Sequence, residues 1–240
     1  MGHTSRAADA ALTKLVGRLK CKLYGDVGTD VAVIEAARNV VGDETYIVGD
    51  VNGGYRRKQS EDSVAAIAAA LVDLHAAGLT ACEDPAYMTP SQWAEVQRLV
   101  GGLDLLPDVP VRPAWKAARQ INPNMGRVFN MHPACMGSAI EVVTLGRMIQ
   151  GWGKRLMVGD SSLVGPACPA WQQIAIGLGA DWVEAVEKPQ ENDVYQRCRT
   201  AAPTGRTPDG LFAYEAERPG FGTDLDADAL HELSLATVTL

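Results

Sequence analysis

Parallel strands alternating with helices, closed into an α/β barrel of the (β/α)8 type, are the fold this sequence predicts. The first observation behind it is a recurrence of short apolar runs, mostly about 25 to 33 residues apart, the length of one strand-plus-helix unit. The second is the helical period of the segments between them. Such a repeat, carried through seven units in 240 residues, implies right-handed crossovers between parallel strands, and closure is the commonest way to bury so many. An open doubly wound sheet is the alternative. It loses ground because no G-x-G-x-x-G or G-x-x-x-x-G-K-[ST] motif opens any helix.

In chain order the expected strands are KCKLYG (20–25), YIVGDVN (46–52), TACEDP (80–85), PVRPAW (110–115), RVFNMH (127–132), RLMVGD (155–160) and DWVEAVE (181–187). Between the second and third lies EDSVAAIAAALVDLHAAG, where Val64, Ile67, Leu71 and Leu74 recur on one face of a helix that must pack on the sheet. No linker or low-complexity stretch divides the chain, so residues 1–240 read as a single domain.

Composition narrows the function classes. With 47% hydrophobic and 21% charged residues the chain can bury a sizeable core. A net charge of −7 and the lack of a Lys/Arg-rich run argue against nucleic acid or an anionic membrane as the main partner. No apolar run approaches the length of about 18 residues a membrane helix needs, and MGHTSRAADAA has no apolar core of a secretory signal. A cytoplasmic location is the expectation. The five cysteines are odd in number, scattered and never in a C-x-x-C pair, which points away from a disulfide framework or a zinc site.

In a parallel barrel, chemistry collects where strands end, so polar residues there are informative as a set. Lys20 and Lys22 stand at i and i+2 and share one side of their strand; Asp50 and Asn52 do the same. Glu83 and Asp84 end the third run, His132 the fifth and Asp160 the sixth, with Glu184 and Glu187 in the seventh. Read alone, GDVNGG is ordinary turn chemistry, K-x-K a surface coat and His132 a structural residue before a proline. Lysines pointing into a barrel mouth need compensating carboxylates, and the neighbouring strand ends supply them.

These residues carry a resemblance. LKCKLYG, VGDVNGGY, CEDP and PGFGTDLDADAL resemble, in order and spacing, the barrel domain of the enolase superfamily, in the branch of mandelate racemase and muconate-lactonising enzymes. The resemblance implies a modified (β/α)7β TIM barrel, here incomplete at the N-terminus and without the superfamily's capping domain. It also implies Mg²⁺ held by carboxylates at the ends of the third, fourth and fifth barrel strands, of which Asp50 and Glu83 are the first two. Asn52, Asp84 and Asp160 then stand behind the ligands or against substrate. Lys22 is implied as the base that removes a proton next to a substrate carboxylate, Lys20 as the cation that lowers its pKa, and His132 as the group on the opposite face, where relatives have lysine.

The implied function is Mg²⁺-dependent α-proton abstraction from a small carboxylate, of racemase, epimerase, lyase or cycloisomerase type. Two departures qualify it. The third acid is missing where it is expected: VPVRPAWKA puts Ala114 and Trp115 there, which implies weak Mg²⁺ binding, and Asp104 and Asp108 precede the expected strand. The absent cap and first strand leave a catalytically impaired or truncated homologue with an anion-binding role, or one completed by a partner chain, as the alternative. Unpaired edges at the strands carrying Lys22 and Glu184 would favour homo-oligomers.

Overall fold

The computed structural model describes residues 17–55, 64–132, 135–159, 167–184, 197–198, 220–221 and 225–236. Asp160, Glu187 and part of the PGFGTDLDADAL stretch lie outside them. The elements run β1 (Arg18–Lys22), α1 (Val27–Val41), β2 (Tyr46–Asp50), α2 (Val64–Ala76), β3 (Ala81–Glu83), α3 (Pro90–Leu99), β4 (Asp104–Leu106), α4 (Ala114–Gln120), β5 (Val128–Met131), α5 (Ala139–Gly151), β6 (Arg155–Val158), α6 (Ala167–Leu178), β7 (Trp182–Val183) and α7 (Ala227–Leu233). None of the described helices is long and apolar enough to cross a membrane.

Among the described residues the strand pairs are parallel and follow sequence order, β1 to β4 in one ladder and β5 to β7 in the other. Backbone bonds from Arg127 N to Leu105 O (3.3 Å) and Asn130 N to Pro107 O (3.0 Å) join the two ladders. Among the described residues no ladder joins β7 to β1, but side chains bridge them: Lys20 donates to Glu184 Oε2 at 2.9 Å, and Arg18 to the Asp181 carbonyl. A curved barrel wall results.

Strand alternation sorts residues to its two faces. Val48, Ala81, Leu106, Val128 and Met157 form a small core inside the barrel, flanked by Tyr46 and Trp182. Residues of the opposite parity, including Ile47, Cys82, Leu105, Phe129 and Leu156, join the larger core between sheet and helices. Helix α2 meets this core as its period predicts: Ile67, Leu71 and Leu74 are buried and Val64 packs against them. At the N-terminal end of the barrel, Asp104 ties neighbouring strands together. It accepts from the Tyr46 hydroxyl (2.7 Å), from Arg127 (3.0 Å) and from Arg155, whose guanidinium also lies 5.4 Å from the centre of the Tyr46 ring.

Helix starts follow local chemistry. Asp26 caps α1 by accepting from Thr29 N, while Thr89 with Gln92 and Ser138 with Glu141 form capping boxes at α3 and α5. Gly25 and Gly54, in the loops after β1 and β2, touch backbone to backbone. A Cβ on Gly25 would lie 2.8 Å from the Gly54 carbonyl carbon. Asp30 clamps the same two loops, accepting from Tyr24 N, Gly25 N and the Tyr55 hydroxyl.

One expected strand is displaced. PVRPAW (110–115) is not a strand: Val109–Val111 is a single 3-10 turn, and Ala114 already begins α4. Pro110 and Pro113 lack the N–H groups that a strand between two neighbours must donate. The ladder runs instead through Asp104–Leu106, paired residue by residue with Ala81–Glu83.

Candidate active site at the C-terminal mouth of the barrel

The strand ends converge. Lys20, on β1, is largely enclosed, and its ammonium lies 2.7 Å from Glu83 Oε2, 2.9 Å from Glu184 Oε2 and 3.6 Å from Asp50 Oδ2. Lys22, two residues on and 69% exposed, bonds Asp50 Oδ2 and donates to Asn52 Oδ1 at 3.0 Å. Asn52 in turn donates its backbone N–H to Asp50 Oδ1 at 3.1 Å. Lys20, Lys22, Asp50, Asn52 and Glu83 thus form one cluster on three adjacent strand ends. His132 lies one residue past β5 and partly buried, in the register of Val128 and Asn130.

The backbone bends sharply to build this mouth. Asn52 and Asp84, each just beyond an acid-bearing strand end, are the non-glycine residues with positive φ among those described (51° and 39°), a conformation held at some cost in backbone energy. Asp84 points outward from the mouth. Its carboxylate accepts from Asp108 N and Val109 N, both at 3.0 Å, and so fixes the loop after β4 against β3.

That loop shows what stands where a third acid was expected. Ala114 sits in the first turn of α4, 1% exposed, within the helix–sheet core, and Trp115 beside it faces solvent. Neither is at a strand end. Asp108 lies nearer to one: it follows the C-terminal end of β4 by two residues, at the start of the turn Val109–Val111, and is 2% exposed. Its carboxylate is near enough to Glu83 to raise that group's pKa, and one oxygen takes the Arg112 guanidinium at 2.8 Å. Asp104, by contrast, belongs to the opposite end of the barrel. Sequence reasoning also passed over Asn130, which is fully buried and donates from Nδ2 to Glu83 Oε1 at 3.1 Å. The available signals were the prolines, which disqualify 110–115 as a strand, and the parity of Asn130 with His132.

Burial sets the electrostatics. Burial pushes the Glu83 carboxyl up to about 8 against the pull of Lys20, with Asp50 and Asp108 adding to the rise. Asp84 is pushed to about 7 by burial and by Asp108, and Asp108 to about 6 by burial, opposed by Arg112 and Lys20. For Lys20 burial alone would favour the neutral amine, but Glu83, Glu184 and Asp50 together outweigh it and raise its pKa. The rises on Lys20 and Glu83 are compatible: the lysine faces three carboxylates, whereas Glu83 has one close ammonium. Lys20 is therefore a fixed cation whose charge is balanced by acids.

The donor set suits a hard divalent cation. Asp50, Glu83 and Asp108 are buried carboxylates on successive strand ends, and one oxygen each of Glu83 and Asp108 is buried without a hydrogen-bond partner among the described residues. For Glu83 that oxygen is the one ion-paired with the Lys20 ammonium at 2.7 Å. Among the described residues the acids are not gathered into a cage of three ligands, and the Lys20 ammonium stands between them.

A parallel barrel with lysines and buried acids at its C-terminal mouth places the protein in a class defined by where its charges sit. The chain belongs to the enolase C-terminal domain-like family, which matches residues 3–229. Among solved structures it is similar to an N-succinyl Arg/Lys racemase from Bacillus cereus, at 21% identity and a TM-score of 0.74, covering 96% of this chain and 59% of that one. It is similar also to a muconate lactonizing enzyme from Klebsiella pneumoniae (22% identity, TM-score 0.69, 95% of this chain and 61% of that one). An enolase from Bradyrhizobium complexed with magnesium and mandelic acid matches at 15% identity and a TM-score of 0.69, over 95% and 58% of the two chains. The chain spans about three-fifths of the length of these structures. No curated protein sequence matches it.

Proposed function

We propose that this chain performs Mg²⁺-dependent removal of the proton α to the carboxylate of a small substrate, the step shared by racemases, epimerases and cycloisomerases. The observation that carries the reading is the convergence of Lys20, Lys22, Asp50 and Glu83 on one end of the barrel, from three adjacent strands. Asp50, Glu83 and Asp108 would hold the metal, which when bound supplies positive charge to a substrate carboxylate. Lys20, kept protonated by its acids, adds a second positive charge there and is unsuited to act as a base. Lys22 reaches solvent at the mouth and takes the proton once its contact with Asp50 is released. His132, past β5, serves the opposite face, and Asn52 and Asn130 orient Asp50 and Glu83. The racemase similarity and the mandelic acid bound by the Bradyrhizobium protein make N-succinyl amino acids and mandelate the first compounds to try.

The balance of Lys20 against Asp50, Glu83 and Glu184 favours a second reading, a barrel mouth whose charges are satisfied without a metal and which has lost proton abstraction. Proton NMR in D₂O separates the two. The proposed function requires loss of the α-proton signal of N-succinyl-arginine or mandelate that depends on added Mg²⁺ and disappears in Lys22→Met. Equal exchange by the parent and Lys22→Met would remove Lys22 from its role, and no exchange with any carboxylate tried would favour the second reading.

A further inference from the structure

Two strand-end loops flank Lys22, and one buried carboxylate joins them. The loop after β2, residues 51–55, is tied to the chain at the end of β3 by backbone bonds from Val51 N to Glu83 O (3.1 Å), Gly53 N to Asp84 O (2.6 Å) and Tyr55 N to Pro85 O (3.1 Å). The loop after β1 lacks such support. Past the bond from Leu23 N to Asp50 O at 2.9 Å, no backbone hydrogen bond joins it to the loop after β2 among the described residues.

Asp30 supplies the joint. It lies in the first turn of α1 and is fully buried. Its Oδ1 accepts from Tyr24 N at 2.7 Å, and its Oδ2 from Gly25 N at 3.0 Å and from the Tyr55 hydroxyl at 2.6 Å. Burial first, and Asp30 after it, raise the pKa of the Tyr55 phenol, so the hydroxyl stays a donor. An apolar side chain would fill a buried helix position without the desolvation that a carboxylate suffers. Stability alone therefore does not call for an acid here, whereas a fixed spacing of the two loops does. The backbone to be held is strained: Gly25, Asn52 and Gly53 have φ of 76°, 51° and 78°.

What this spacing sets is the place of Lys22. Its side chain is 69% exposed, and its ammonium meets Asp50 and, at 3.0 Å, Asn52 Oδ1, both on the neighbouring strand end. Lys22 stands two residues before Tyr24, and Asn52 three before Tyr55, so the clamp closes just beyond the contact it would preserve. We propose that Asp30, acting through Tyr55, is a positioning residue for Lys22: by locking the loop after β1 to the loop after β2 it keeps the ammonium against Asn52 and Asp50. The inference rests on the reading of Lys22 as the base, but its test needs no substrate.

Trace acetylation with acetic anhydride, read lysine by lysine by mass spectrometry, reports how freely each amine reacts. Lys154, just before β6 at the opposite end of the barrel, is the internal reference. Tyr55→Phe removes one hydroxyl and should raise the Lys22 rate by about three- to tenfold, up to the scale of one lost charge-assisted contact, with Lys154 unchanged. Asp30→Asn sets an amide NH₂ against the Gly25 N–H and should act in the same direction. Asn52→Gly keeps the positive φ but removes the amide that Lys22 meets, so adding Tyr55→Phe to it should change the Lys22 rate little. Lack of α-proton exchange by the parent would count against the proposed function and leave this labelling result standing. Parental Lys22 rates in both Tyr55→Phe and Asp30→Asn, an equal rise at Lys154, or an undiminished Tyr55→Phe effect on top of Asn52→Gly would each overturn the positioning role.

Discussion

Replacing Asp108 by Asn should cost the protein its Mg²⁺ affinity while sparing its fold. Asp108 is 2% exposed, with one carboxylate oxygen on Arg112 at 2.8 Å and the other buried without a hydrogen-bond partner among the described residues. Asparagine matches its size, and the amide oxygen can still accept from Arg112. The substitution removes only the charge. A charge-assisted contact contributes roughly 1.5 to 3 kcal/mol, which raises the Mg²⁺ Kd by about 10- to 150-fold. Stability should not fall with it, because burial raises the Asp108 carboxyl to about 6, so the charged form is the costly one in the folded protein near neutral pH. Titration calorimetry of Mg²⁺ into metal-stripped protein gives the affinity, and thermal unfolding gives the stability. Asp50→Asn is the positive control. Asp104→Asn, at the opposite end of the barrel, should leave Mg²⁺ binding alone and lower the melting temperature, since Tyr46, Arg127 and Arg155 all converge on that carboxylate. Equal Mg²⁺ affinity in the parent and Asp108→Asn, or no measurable affinity in the parent, would refute the placement of the third ligand.

Ala114→Asp should not create a metal site; it buries a carboxylate in the helix–sheet core and should lower the melting temperature clearly, with Mg²⁺ titration showing no gain. Metal-free protein should lose stability as pH rises from about 4 to about 8. Glu83, Asp84 and Asp108 all have folded-state pKa values above their unfolded ones, so the native state binds their protons more tightly and that contribution fades as pH passes about 6, 7 and 8. Mg²⁺ should flatten this trend by favouring the ionised acids, and melting curves at pH 6 and pH 8 with EDTA or with Mg²⁺ check it; a metal-free melting temperature that rises over this range would contradict the burial argument.

Much of the site was legible because alternation along a single strand is a local property. K-x-K on β1 places its side chains together whatever the rest of the chain does, and the apolar face of α2 follows from its own period. Family membership was legible for a similar reason, since three of the four motifs it rested on are each contained in one strand end and the loop that follows. The fourth strand was not. VPVRP looked as apolar as DLL, and the choice depended on which segment could give N–H groups to β3, a requirement set by a neighbour rather than by the run itself.

The sequence by itself therefore determined the repeating strand–helix order, the sides on which Lys20, Lys22, Asp50 and Glu83 lie, and the caps that start the helices. Only the tertiary structure decided what those charges meet. Lys20 pairs with Glu184 across 164 residues, Asn130 reaches Glu83 across 47, and Asp108 rather than Ala114 stands at the end of β4. The physical reason is closure: curvature of the wall brings distant strand ends within a few ångströms, and burial there makes each charge depend on partners that no local pattern names.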